Sequence, residues 1–402
     1  MLAHSQPNSR LLDSILRSHP ALHKIILAKK KYKPQILYTQ INRDQNNVPS
    51  FKTHSYLVDS TNYFYCASLV KLPVSIFALE KLNALAIPGL SKSTTMLTDS
   101  ANICQKPYWV DSSARNYLPS IEQHIKKMLL VSDNQGYSRV FEFLGSPAIQ
   151  KRMRELGYPR ARIVHRLDAS CTGRGNNYFN PIRFVNDSNR VIYSQMADSL
   201  QAPFEPVFPN LLLGRNIYNK KKRLISEKKD FSRSNYLSLA MIHKILKDLV
   251  FMEQMPASNR YRLTAEDRTF LLRHLGMYPR ESEYPSYPAK PYYDSFKKYF
   301  LYGSTQQDIR SDSVRVFNIV GRAYGFLIDC AYIVDYVNKT EFMLSTVIYV
   351  NKRNSFGSGK YEYDTVGLPF LKELSLALYS FEKNRKKKFA PDLQSIHYFK
   401  NP

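Results

Sequence analysis

Strand-like segments lie at the two ends of this chain, and helical patterns fill most of what lies between them. Residues 35–42 and 50–58 flank a polar segment, 43–49, and predict a hairpin. Residues 314–323, 325–336 and 341–350 are rich in β-branched and aromatic side chains, with 337–340 as a turn. Strands this far apart bury their apolar faces together only by joining one sheet, which forces the middle of the chain into an insertion. The fold class expected is therefore α/β of the α+β kind. An antiparallel sheet is built from both chain ends with flanking helices, and a mostly helical lobe is inserted. Its expected bounds are 1–66 and 311–402 for the sheet subdomain and 67–310 for the helical one, as a single domain overall. At 44% hydrophobic and 13% aromatic residues, the 402-residue chain has ample material for a core, which excludes general disorder.

Helical periodicity sets in after Ser9 and is broken at His19-Pro20. It returns in 120–130, with Ser120 as N-cap, in 137–144, 235–249 and 264–275, and in 366–378. The fourth of these begins with Thr264-Ala-Glu-Asp267, a capping sequence. Residues 88–119, which carry the single tryptophan, read as a loop lining a cleft or as a surface excursion. Residues 160–184 read as a long ordered loop, and 203–230 as a proline-rich, then basic, surface crossing.

The stretch 66–82 stands apart. Leu69, Leu72, Ile76, Phe77 and Leu79 cover more of its surface than a narrow stripe, so this helix is buried. Ser68 and Lys71, three residues apart, then emerge one above the other on a single face. A buried lysine must be paired or give up its proton more readily, at about 1.4 kcal/mol per unit of lowered pKa, and folds accept that mostly at functional sites. Ser-x-x-Lys recurs at Ser226/Lys229, Ser295/Lys298 and Ser380/Lys383, all in charged or aromatic stretches that read as solvated surface.

The net charge of +25 raises the question of an anionic partner, but the basic clusters at 29–33, 220–223, 228–229 and 385–388 come with no nucleic-acid-binding pattern. Contact with an anionic surface is expected from them, and specific nucleic-acid binding is not. Cys66, Cys104, Cys171 and Cys330 lack metal-ligand spacing, so no metal and no cofactor is expected; buried thiols are the default, with a disulfide open if the protein is exported. Residues 1–7 lack the features of a signal peptide, and no stretch approaches about 18 apolar residues, so no transmembrane segment is expected.

Ser68-x-x-Lys71, then Ser132-Asp-Asn134 on a break between helices, then a strand bearing Gly321 ahead of a hairpin and a last helix: this order resembles the serine β-lactamase and penicillin-binding-protein superfamily, on its class A-like side. The resemblance implies a β-lactamase-like fold and an exported, periplasmic or secreted enzyme. It also implies Ser68 as nucleophile, Lys71 as base, Ser132 as proton relay and Asn134 as a holder of Lys71 and of a substrate carbonyl. Backbone N–H groups of Ser68 and Arg322 would receive the oxyanion, and Gly321 would sit beside bound substrate. The sequence departs from the family's Lys-Thr-Gly motif, reading Ile319-Val-Gly321, and Arg322 cannot substitute because neighbouring strand residues face opposite ways. The loop 163–168 has no glutamate to activate water, which leaves Asp168 or His165 as deacylation base or as loop-ordering residues. The substrate class expected is a small molecule or peptide with an amide or ester bond, β-lactams included. A penicillin-binding carboxypeptidase and an impaired scaffold that binds a peptide or cell-wall fragment are the alternatives.

Overall fold

The computed structural model describes residues 6–101, 106–167, 177–200, 204–219, 221–305, 309 and 313–399. Its centre is a five-stranded sheet made of β1 (Gln35–Arg43), β2 (Pro49–Tyr56), β3 (Val314–Ala323), β4 (Phe326–Asp335) and β5 (Thr340–Tyr349). The order is β3-β4-β5-β1-β2, antiparallel throughout, and the two ends of the chain meet where β1 pairs with β5, Gln35 opposite Val347 and Gln40 opposite Phe342. The expected fold class is the one found.

β4 is buried along its whole length because the sheet is covered on both faces. Leu327, Ala331 and Ile333 point into a core shared with α1 (Arg10–Ser18), α2 (Pro20–Leu27) and the last helix, Leu368–Asn384. Ile328, Cys330, Tyr332 and Val334 point the other way, into the core of the inserted lobe. That lobe contains α3 (Lys71–Leu85), α4 (Ile121–Val131), α5 (Asn134–Leu144), α6 (Ser146–Glu155), α7 (Leu239–Val250) and α8 (Ala265–Gly276); the last helix is α9. Side-chain caps fix several starts: the Ser120 oxygen accepts from Gln123 N at 3.1 Å, Asp133 from Gly136 N at 2.5 Å, and Thr264 and Asp267 form a reciprocal capping box.

The lobe is less helical than its pattern predicts. Between residues 178 and 230 it carries short paired strands, among them Ile182–Val185 with Val191–Gln195 and Asn216–Tyr218 with Leu224–Ile225. Runs of two to five residues flanked by Asn, Asp, Gly and Lys carry too little period to read as strands. Among the described residues no helix is long and apolar enough to cross a membrane, and no group of three His, Cys, Asp or Glu could hold a metal ion.

Candidate active site

The buried helix does not begin where its sequence implies. Ala67–Val70 form a 3₁₀ turn and the α-helix proper starts at Lys71, with Ala67 in the left-handed region at φ 47°. The turn is closely packed from across the cleft: a Cβ on Gly321 of β3 would stand 2.9 Å from the Cys66 carbonyl oxygen and 3.4 Å from the Ala67 Cβ. The strand is pressed onto the turn, and only glycine admits so close an approach. Residues 67–68 and 321–322 therefore belong to facing elements, the placement required of two backbone donors around one oxyanion.

The break between α4 and α5 supplies the opposite wall. Ser132 ends α4 in the left-handed conformation, φ 63°, and Asp133 caps α5, so the chain turns sharply and α5 begins at Asn134, three residues earlier than its periodicity predicts. The Lys71 amine reaches across to this bend. Its Nζ lies 2.8 Å from Ser68 Oγ, 2.5 Å from Ser132 O, 3.0 Å from Ser132 Oγ and 2.8 Å from Asn134 Oδ1. Ser68 and Ser132 are half-buried, Lys71 is fully buried and Asn134 is exposed, so the hydroxyls stand at the surface end of the cluster.

Burial pushes the Lys71 ammonium well below its ordinary pKa; the charge of Lys297 adds to the effect and Asp133 opposes it. A neutral amine has two N–H donors and one lone pair. Ser132 O and Asn134 Oδ1 can only accept, so they take the two donors. The lone pair is left to the hydroxyl hydrogens of Ser68 and Ser132. Four oxygens around one nitrogen thus orient an amine that can take a proton from one hydroxyl while a second hydroxyl stands beside it.

The strand contributes no cation. Ile319 is fully buried in the lobe core, and the Arg322 side chain leaves by the opposite face, where it lies 4.4 Å over the Tyr363 ring and 3.8 Å from Asp364. Lys297 stands beside Lys71 instead, on a segment whose sequence was expected to be solvated. That expectation fails at Ser295 and Lys298 as well: both are buried, Lys298 by donating to Leu275 O at 2.7 Å, Val316 O at 2.7 Å and Asn318 Oδ1 at 3.0 Å. Backbone carbonyls of α4, α8 and β3 satisfy these ammoniums. The flanking Phe296 and Tyr299-Phe300 were the available sign that the two lysines enter a core.

His165 orders its loop. Its Nε2 accepts from Asn235 N at 3.0 Å and its Nδ1 lies 2.6 Å from Arg166 O, while Asn235 Oδ1 accepts from Val164 N and His165 N. Both ring nitrogens are engaged, so the imidazole has no lone pair free for water. Asp168 lies outside the described residues, as do Cys104 and Cys171. Cys66 and Cys330 are free thiols, and burial raises Cys66 to about 12, which leaves it unreactive beside Ser68. Residues 106–119 dock on α4: Lys127 donates to Asp111 at 2.5 Å and to Tyr108 at 3.2 Å.

Residues 20–202 match the model of a family described as the Beta-lactamase enzyme family. No curated protein matches the chain. Among solved structures, a β-lactamase from Xanthomonas campestris is 11% identical with a TM-score of 0.51, covering 92% of this chain and 98% of that one. PBP-A is 12% identical with a TM-score of 0.52, covering 95% of this chain and 100% of that one.

Proposed function

We propose, for a chain whose fold and family match are those of the serine β-lactamase and penicillin-binding-protein superfamily, that it is a serine hydrolase forming an acyl-enzyme at Ser68. The observation that carries this reading is the single Lys71 nitrogen within 3.0 Å of both hydroxyls and of Asn134. The Lys71 lone pair takes the Ser68 proton as Oγ attacks the carbonyl of an amide or ester. The oxyanion forms between the Ser68 and Arg322 N–H groups beside Gly321, and Asn134 holds the substrate carbonyl. As the intermediate collapses, Ser132 delivers a proton to the leaving nitrogen or oxygen and recovers one from Lys71. Water then hydrolyses the ester. Export to the periplasm or beyond belongs to the same reading.

The test is covalent. Incubation with a fluorescent penicillin and, separately, a fluorophosphonate is expected to give a mass adduct on the wild-type chain with at least one reagent and none on Ser68→Ala. No adduct with either reagent overturns the reading in favour of a non-catalytic scaffold. The absence of glutamate from residues 163–168 favours a variant of this proposal, a slowly deacylating enzyme of the penicillin-binding carboxypeptidase kind. A penicillin adduct that outlasts hours supports that variant, and one that turns over in seconds supports a β-lactamase.

Gly321→Val gives a second check. Its added atoms meet the Cys66 carbonyl and the Ile328 side chain, at 2.9 and 3.0 Å from the Cβ position alone, and push strand and turn apart. A shift of about 1 Å is expected to slow labelling about 10²-fold, read as the rate of adduct formation.

A further inference from the structure

We propose, on the acyl-enzyme reading above, that Lys297 is the second ammonium of this site, carried in by the segment that covers the sheet edge and acting through Lys71 as a positioning residue. β3 is the edge strand, and its residues 319–322 place no basic side chain in the cleft. The Lys297 Nζ donates to the Leu129 carbonyl, in the last turn of α4 and three residues before Ser132. Ser132, the cap of the same helix, touches the Lys71 amine with both its carbonyl and its hydroxyl. Two amines, from different parts of the chain, thus converge on one helix end, where the backbone dipole favours positive charge.

The segment that brings Lys297 is tied to the sheet. Its own carbonyl accepts from Asn318 Nδ2 at 2.7 Å, Asn318 Nδ2 also donates to Asp329 Oδ1 at 2.9 Å, and Phe300 N donates to Asp329 Oδ2 at 3.1 Å. Lys297 takes φ 75°, a conformation that an L-residue holds only where its surroundings over-determine it. The next residue, Lys298, sends its side chain elsewhere, to carbonyls of α8 and β3. Asn318 and Asp329 thus aim a single ammonium at the end of α4.

A positive charge beside Lys71 opposes its protonation and so extends toward acid pH the range in which it serves as base. The charged groups around the pair are Asp133 at the start of α5, Asp329 on β4, and Lys298 with Arg315 and Glu281 behind it. Burial lowers Lys297 to about 7 against the pull of Asp329, which burial itself raises to about 7. Lys297 is therefore charged on the acid side of neutrality, where its help is needed, and loses that charge above it.

The experiment follows the rate of Ser68 labelling across pH 5 to 9 in the full chain, with circular dichroism to verify folding. Lys297→Met is expected to move the acid limb upward by about one pH unit, which is about tenfold slower labelling at pH 5.5, with the profiles converging toward pH 8.5. Lys297→Arg, always charged, keeps the acid limb. Asp329→Asn keeps the limb as well, because that carboxyl, raised to about 7, is already uncharged on the acid side. A factor that is constant at all pH values, or no change, overturns the proposal. If no reagent labels the wild type, the acyl-enzyme reading fails by itself. The coupling is still read by NMR of ¹³Cε-labelled lysine, where the Lys71 titration rises in Lys297→Met, and an unmoved Lys71 titration overturns it.

Discussion

Replacing Lys71 with Met is expected to slow labelling of Ser68 by roughly 10³-fold and, at the same time, to raise the thermal midpoint at neutral pH. The first effect is the loss of the base. The second follows from the depressed pKa: in the unfolded chain Lys71 holds its proton up to about 10.5, whereas in the folded protein burial strips it. Between the two values the unfolded state binds the extra proton, so acidifying the solution through that window weakens the wild type and leaves Lys71→Met unaffected. The stability gain is thus larger near neutrality than at higher pH and shrinks as pH rises toward 10. Thermal unfolding at pH 7 and 10 checks the sign, and a variant that is slower and less stable at both would show the amine to be a structural group.

The second large effect belongs to the far end of the same helix. Arg152 of α6 holds the Glu80 carboxylate of α3 with two parallel bonds, 2.9 and 2.8 Å, and Arg262 N donates to the same carboxylate at 2.8 Å. The pair is nearly closed to solvent, 11% and 8% exposed. Arg152→Leu removes one partner and leaves a carboxylate in the interior with a single amide donor, which is expected to cost about 3–5 kcal/mol. Adding Glu80→Met should recover most of that, because two apolar side chains of similar volume need no partner. Urea denaturation of the wild type and the two variants decides the matter. A single substitution costing under about 1 kcal/mol would mean that water reaches the pair.

The clustering of Ser68, Lys71, Ser132 and Asn134 was legible in the sequence because each sits next to a strong local signal: an over-apolar helix in one case and a helix-capping tripeptide in the other. The sheet was legible for a related reason, since β-branched runs such as 326–335 are hard to read otherwise. What the sequence hid is of another kind. Lys297 looks solvated in a Tyr/Lys-rich stretch, and its burial rests on the Leu129 carbonyl at the end of α4 and on the Asn318 amide of β3. Those partners lie 168 and 21 residues away, so no local window contains them. The short strands between 178 and 230 were lost for want of length, and the Gly321 contact with Cys66 is a meeting of two backbones that leaves no periodic trace.

Because β1 lies between β2 and β5, with Ser68 beyond β2 and the strand that faces it beginning at Val314, the nascent polypeptide is without the cleft between them for most of its synthesis. The lobe can collapse as it emerges, but the turn at Cys66-Ala67 meets Gly321 only after some four-fifths of the chain has left the ribosome, and β1 gains its second neighbour later still. A protein assembled in this order completes its candidate site in one late closure.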